Sequence, residues 1–294
     1  MSKSTPVNGN LIGILGGIIL STDSVFIRLM SIDNSWMIVM LRGLFMWGLV
    51  VLVYLLWPKS RSVLGVPWIT RQNALPTLFF CIASACFVNA LNRGSIATVL
   101  VIISSTPFVS AIISRLFFGT KIDKSLLMAA IAGMLGVAIV MTGRATGYDP
   151  LANYFALATA VSMALAFIFA SKVENGTVGL PSIGGVLASV CVVGFTGGGV
   201  LHAVPLLSGS QWLWLFVEGA VIMPLAMGLI SLSTRFVSPV NAGLFLLLET
   251  ALAPLWIFLF LGEAPTLQAV VGGCIIVFAV ISQTLRIKRQ EALA

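Results

Sequence analysis

The sequence predicts an all-α integral membrane protein: ten transmembrane helices forming two five-helix repeats of opposite sense. Three observations predict it. Of the 294 residues, 59% are hydrophobic and only 9% are charged, whereas a soluble domain carries roughly 25% charged residues. Ten apolar runs follow one another with short connections, each near the ~20 residues that cross ~30 Å of hydrocarbon. A pattern in the fourth run also returns half a chain later, in the ninth.

The runs fall at about 9–30, 35–57, 74–91, 97–118, 125–143, 151–171, 181–203, 211–231, 240–261 and 265–285. The first carries Gly9, Gly13 and Gly17 every fourth residue, a bare stripe that lets another helix approach closely, and then Asp23. Only Lys3 precedes it as a base, and no A-x-A cleavage pattern follows, so it reads as a retained helix. The second contains Arg42 and Trp47. The third is the shortest: Pro76 interrupts it early, and Asn89, Asn92 and Arg93 close it. The fourth holds Ser104, Ser105, Thr106 and Pro107. The fifth repeats the small-residue face with Ala129, Gly133 and Gly136. In the seventh, Gly197, Gly198 and Gly199 loosen the outer end as a hinge. The eighth carries Glu218 and Pro224; the ninth carries Glu249, Thr250, Pro254 and Trp256; the tenth ends in a basic cluster.

Orientation follows from the connections. With the N-terminus inside, cytoplasmic segments collect Lys3, Lys59, Arg61, Arg71, Arg115, Lys121, Lys124, Lys172, Arg235, Arg286, Lys288 and Arg289, twelve of the sixteen bases. Arg28, Arg93 and Arg144 lie on the other side. Excess Lys and Arg mark cytoplasmic loops, so both termini are expected in the cytoplasm. Trp57 and Trp68 then sit at the inner interface, and Trp36, Tyr148, Trp212 and Trp214 at the outer one. The net charge of +7 is explained by this asymmetry. No basic stripe with interleaved aromatics points to nucleic acid. Cys81, Cys86, Cys191 and Cys274 lie in apolar runs without a C-x-x-C pair, and His202 is the single histidine; neither a disulfide frame nor a metal site is expected.

The repeat is visible in RGSIATVLVIISSTPFVSAIISRLFFGTK from Arg93 and RFVSPVNAGLFLLLETALAPLWIFLFLGE from Arg235. Arginine-to-glycine spacing is 26 residues in one and 27 in the other, and the period is about 142. The prolines do not align: Pro107 lies fourteen residues after its arginine, Pro254 nineteen after its own. The expected halves are 1–146 and 147–294. Five spans per half is an odd number, so the second copy enters the membrane upside down, a recurring transporter design.

The half-repeat endings SSTPFVSAIISRLFFGTK and LLETALAPLWIFLFLGE resemble the two EamA-type repeats of the drug/metabolite transporter superfamily. That pattern has a proline about twelve residues before a terminal L-G-E; Pro107 and Gly119 fit it, with Thr120 in place of the acid. In the second half Gly262 and Glu263 fit, while Thr250 stands where proline is usual and Pro254 comes four residues later. Within the superfamily the chain looks like the ten-helix bacterial exporters of the YddG-type aromatic and neutral amino-acid branch. The resemblance implies a central cavity between the halves, opening alternately to each side, in the bacterial inner membrane.

Of nine acids, only Asp23, Glu218 and Glu249 fall well within spans. A charge at a helix centre costs about 2.5–3.5 kcal/mol on insertion scales, so such residues face protein or water and have partners. Asp23 and Arg42 each lie about seven residues from the outer end of adjacent antiparallel spans. Equal depth makes them an expected structural ion pair, with a substrate role as the alternative. Glu249 lies near the midplane. Three readings stand: a carboxyl satisfied by its neighbours, a proton-coupling group, or a holder of a substrate ammonium. In the fourth span, Pro107 deprives the Ile103 carbonyl of its helical partner, and Pro224 and Pro254 are expected to open the eighth and ninth spans in the same way. Ser104, Ser105 and Thr106 beside Pro107 either patch the kink or offer a polar patch to an amino-acid headgroup. Trp256 is the aromatic candidate for a cavity wall.

The expected function is therefore secondary transport of a small amphipathic metabolite, with neutral or aromatic amino acids first and lipophilic cations as the alternative. The candidate binding residues are Ser104, Ser105, Thr106, Pro107, Glu249, Thr250 and Trp256. No G-x-x-x-x-G-K-[ST] loop is present for ATP, no G-x-S-x-G elbow for a serine hydrolase, and no cluster of charge for a channel. No cofactor and no metal are expected; the partners are the substrate and lipid, with the chain acting as a monomer.

Overall fold

The computed structural model describes residues 8–94, 96–119, 124–141, 150–262 and 267–291. Lys3, Thr120, Lys121, Arg144, Tyr148 and Glu263, named above, lie outside them. Every regular element among the described residues is helical. Hydrocarbon offers backbone groups no water, so each segment has to satisfy its own.

The helical stretches are α1 (Gly9–Leu20 and, after a two-residue break, Asp23–Met30), α2 (Ser35–Leu56), α3 (Ala74–Arg93), α4 (Ile96–Ile103 and Thr106–Phe118), α5 (Lys124–Met141), α6 (Pro150–Ala170), α7 (Leu180–Phe195), α8 (Gly209–Phe216, a π turn at Val217–Ile222, then Met223–Ser233), α9 (Pro239–Leu261) and α10 (Leu267–Glu291). Asn8 caps α1 by accepting from the Asn10 and Leu11 amides, and Asn34 caps α2 in the same way through Trp36 and Met37. Six stretches, α1, α2, α3, α6, α8 and α9, are long and apolar enough to cross a membrane. α7 joins them only when counted with the segment after its bend, and the apolar parts of α4, α5 and α10 are shorter.

Four places depart from an uninterrupted helix, each for a local reason. At Ser21 and Thr22 the hydroxyls donate to the Ile18 and Ile19 carbonyls at 2.6 and 2.8 Å, competing with the helix ladder, and the helix restarts at Asp23. In α4 the chain turns at Ser104 and Ser105. The Ile103 carbonyl orphaned by Pro107 accepts instead from Thr106 Oγ1 at 2.6 Å, while Ser104 and Ser105 donate to Leu100 and Ile102. α7 stops at Phe195 rather than near residue 203. Gly197 and Gly198 take left-handed φ values of 57° and 80°, and the following 3-10 segment Gly199–Leu206 leaves at 96°. In α8 the turn widens just before Pro224, which has no amide hydrogen to give.

Two expectations are corrected. Pro76 does not interrupt α3; it occupies the first turn, where an amide has no acceptor within the helix. Nor does α9 open at position 254: it runs unbroken from Pro239 to Leu261, because one missing donor leaves the surrounding ladder intact.

Packing brings the two halves together. α1 lies against α8 and α9, α2 against α7 and α8, α3 against α6 and α7, α4 against α6 and α9, and α5 against α10. Glycines set the closest crossings. A Cβ on Gly43 of α2 would collide with the Gly185 carbonyl and Ser189 Oγ of α7, and Ser189 Oγ donates to the Met40 carbonyl at 2.7 Å. The stripe on α1 has the same use, since a Cβ on Gly13 or Gly17 would strike Phe245. Trp47 Nε1 donates to the Pro67 carbonyl at 2.7 Å and pins the α2–α3 connection. Large apolar side chains meanwhile face outward: Phe117, Phe195 and Phe278 are 75%, 81% and 74% exposed. Such surfaces belong in lipid.

Candidate functional site

A small hollow lies where α1, α2, α3, α6, α8 and α9 meet, with Ile103 of α4 and Pro181 of α7 also on its wall. Its wall is mostly apolar and adaptable, with Met46, Phe80, Phe87, Met163, Met223 and Met227; unbranched thioethers re-pack easily around different shapes. Three charged residues interrupt it: Asp23, Arg42 and Glu249.

Each is placed by a feature of its helix. Asp23 is the first residue after the α1 break, where the helix N-terminus favours an acid. Arg42 precedes Gly43, whose close crossing with α7 fixes α2 at that level. Glu249 sits ten residues into α9. Burial is nearly complete, at 0% exposure for Asp23, 3% for Arg42 and 5% for Glu249.

Arg42 is the hub. One terminal nitrogen, Nη2, lies 3.4 Å from Asp23 Oδ2, and Nε lies 2.9 Å from Oε1 of Glu218, which is 0% exposed on the α8 π turn. The guanidinium carbon stands 5.7 Å from the centre of the Phe87 ring. Arg42 Nη1, Asp23 Oδ1 and Glu249 Oε1 are buried without a hydrogen-bond partner, as are both Glu218 oxygens; the Nε contact is an ion pair without hydrogen-bond alignment. Unmet polar atoms of both signs, on Arg42, Asp23 and Glu249, therefore belong to the wall of one mostly apolar hollow, a candidate site for a polar ligand.

The pattern of an EamA repeat matches the chain twice, over residues 7–142 and 150–284, as the EamA-like transporter family. The chain belongs to that family. Family members are transporters rather than enzymes, so this is a multi-pass membrane transporter of small molecules with two EamA repeats. Twenty-nine solved chains match the fold. One of them, titled only as the crystal structure of a protein, superposes with a TM-score of 0.75 at 17% identity, over 98% of this chain and 100% of the other. No curated protein matches the chain.

Within this EamA-family chain the residues singled out from sequence separate. Glu249 lines the hollow together with Asp23 and Arg42. Ser104, Ser105, Thr106, Pro107, Thr250 and Trp256 are not among its lining residues. The three hydroxyls are spent on carbonyls of the preceding turn. Pro107 packs against Gly243, whose added Cβ would stand 3.0 Å from it. Thr250 is buried in α9. Trp256 Nε1 donates to Ser21 Oγ at 2.7 Å, bracing the α1 break from α9. The sequence marks Glu218 as an intramembrane acid without showing its partner. Its depth, nine residues into α8 or roughly 13 Å at 1.5 Å per residue, is the signal that links it to Arg42.

Proposed function

We propose that the protein exports neutral or aromatic amino acids across the bacterial inner membrane by alternating access. Its ten spans would form two inverted five-helix halves, with both termini in the cytoplasm and the chain acting as a monomer. The observation that carries the substrate reading is the set of buried, unpartnered atoms on one apolar hollow: Arg42 Nη1 against Glu249 Oε1 and Asp23 Oδ1. A zwitterion with an apolar side chain answers all three features: its carboxylate meets the guanidinium, its ammonium meets a carboxylate, and its side chain meets Met and Phe. The outward direction rests on the resemblance to exporters.

Inversion is supported by the packing. Exchanging each helix with the one five places along turns the α3–α6 contact into α8–α1, α1–α9 into α6–α4, and α3–α7 into α8–α2, while α2–α7, α4–α9 and α5–α10 map onto themselves. A two-fold relation between halves produces this exchange. Because each half has an odd number of stretches, the axis lies in the membrane plane.

The test is uptake of labelled phenylalanine into proteoliposomes, with amino acids, quaternary amines and sugars as competitors. Competition by neutral amino acids alone is the expected outcome; indifference to every amino acid would sink the reading. A second reading, lipophilic-cation transport, is favoured by one observation: Asp23 and Glu218 both contact Arg42, and a further acid, Glu249, lines the same hollow. Glu249→Gln separates the two. Phenylalanine KM rises about tenfold if the ammonium is held there, whereas a cation carrier loses transport of its quaternary amine.

A further inference from the structure

Glu218 stands apart from the other intramembrane acids. Asp23 and Glu249 line the hollow, and Glu218 does not, although it makes the shortest contact to Arg42, 2.9 Å at Nε. It contacts the guanidinium without lining the hollow. The π turn puts it there. In a π turn residues five apart share a face, so Glu218 and Met223 look the same way, one toward Arg42 and one toward the hollow. Gly219 lets this turn sit against α2: a Cβ there would lie 3.2 Å from Arg42 Cα and from Phe45 Cβ.

Nε is ion-paired with Glu218 and Nη2 donates to Asp23. Nη1 is the guanidinium nitrogen left without a partner. We propose that Glu218 is a positioning residue that locks the Arg42 guanidinium with Nη1 turned to the hollow, so that the site selects a ligand bearing a carboxylate beside its ammonium. The inference rests on the amino-acid reading of the hollow. A planar guanidinium binds carboxylates through fixed directions. Releasing its Nε edge therefore weakens a ligand carboxylate and leaves a ligand that lacks one untouched.

The experiment compares phenylalanine with phenethylamine, its counterpart without the carboxylate, in proteoliposomes of the full chain carrying E218Q. Phenylalanine KM is expected to rise about tenfold with Vmax within about twofold, while phenethylamine KM moves less than about twofold. Equal shifts for both ligands, or for neither, overturn the proposal. If E218Q does not accumulate, E218D keeps the charge and withdraws it by one methylene, and the same inequality is expected at about threefold. A spectroscopic readout needs no substrate. In protein labelled with 15N-arginine, the Nε–H signal lost in R42K is assigned to Arg42, and E218Q is expected to shift it and speed its exchange with water. An unchanged signal overturns the proposal. A wild-type protein that carries phenethylamine and not phenylalanine overturns the amino-acid reading instead, and the arginine signal then decides the role of Glu218 alone.

Discussion

Arg42 and the acids around it set the main energetic problem of this membrane interior. Removing one partner of a buried ion pair leaves an uncompensated charge and costs about 3–5 kcal/mol, whereas replacing the whole set by apolar or neutral groups is often close to neutral. Arg42→Met is therefore expected to lose about 3–5 kcal/mol, read as a lower midpoint in SDS unfolding. The triple variant D23N/R42M/E218Q is expected to regain most of it; a triple no better than the single would mean that the acids are not Arg42's counter-ions. Depth in the sequence pointed to Asp23 and Arg42, whose atoms lie 3.4 Å apart. For Ser104, Ser105 and Thr106 the sequence left patch and ligand site open, and the hydrogen bonds to Leu100, Ile102 and Ile103 give the hydroxyls to the kink. A hydroxyl's sequence position fixes its depth and its nearest carbonyls, but not whether a cavity lies beyond it.

At the scale of helices, glycine positions divide into two kinds. Gly43 and Gly48 are five residues apart on α2, yet a Cβ at Gly43 collides with α7, and one at Gly48 meets nothing within 4 Å. Gly43→Ala is expected to force α2 and α7 apart at about 1–3 kcal/mol. Gly48→Ala is expected to be neutral or to stabilise by up to about 1 kcal/mol. Thermal unfolding in detergent checks both, and similar losses at the two positions would refute the crossing as described. The bend at Gly197 and Gly198 was legible because left-handed glycines act locally, although the run expected to reach 203 ends as a helix at Phe195. Pro76 and position 254 were misjudged, because a proline's effect depends on its place in a helix and not on its presence.

For the molecule as a whole, inversion makes a topological prediction. The α2–α3 connection holds Ser62, and Ser210 lies in the first turn of α8, directly after the counterpart connection between α7 and α8; both residues are exposed. With the four native cysteines replaced, S62C is expected to react with an impermeant maleimide only from the cytoplasmic face and S210C only from the outer face. Labelling from one common face would end the inverted-repeat reading. The sequence by itself determined that the chain is helical and membrane-embedded, which residues lie near which depth, and where its repeats fall. Those properties sum along the chain: hydropathy fixes insertion, charge biases orientation, and the rise per residue fixes depth. Only the tertiary structure decided that Arg42 meets Glu218, that Trp256 braces α1, and that Met and Phe side chains surround the charges. These depend on rotation about each helix axis, which is set by crossings such as Gly43 on Gly185 and by a single widened turn in α8. Small steric terms between distant segments choose that rotation, and no local run of sequence contains them.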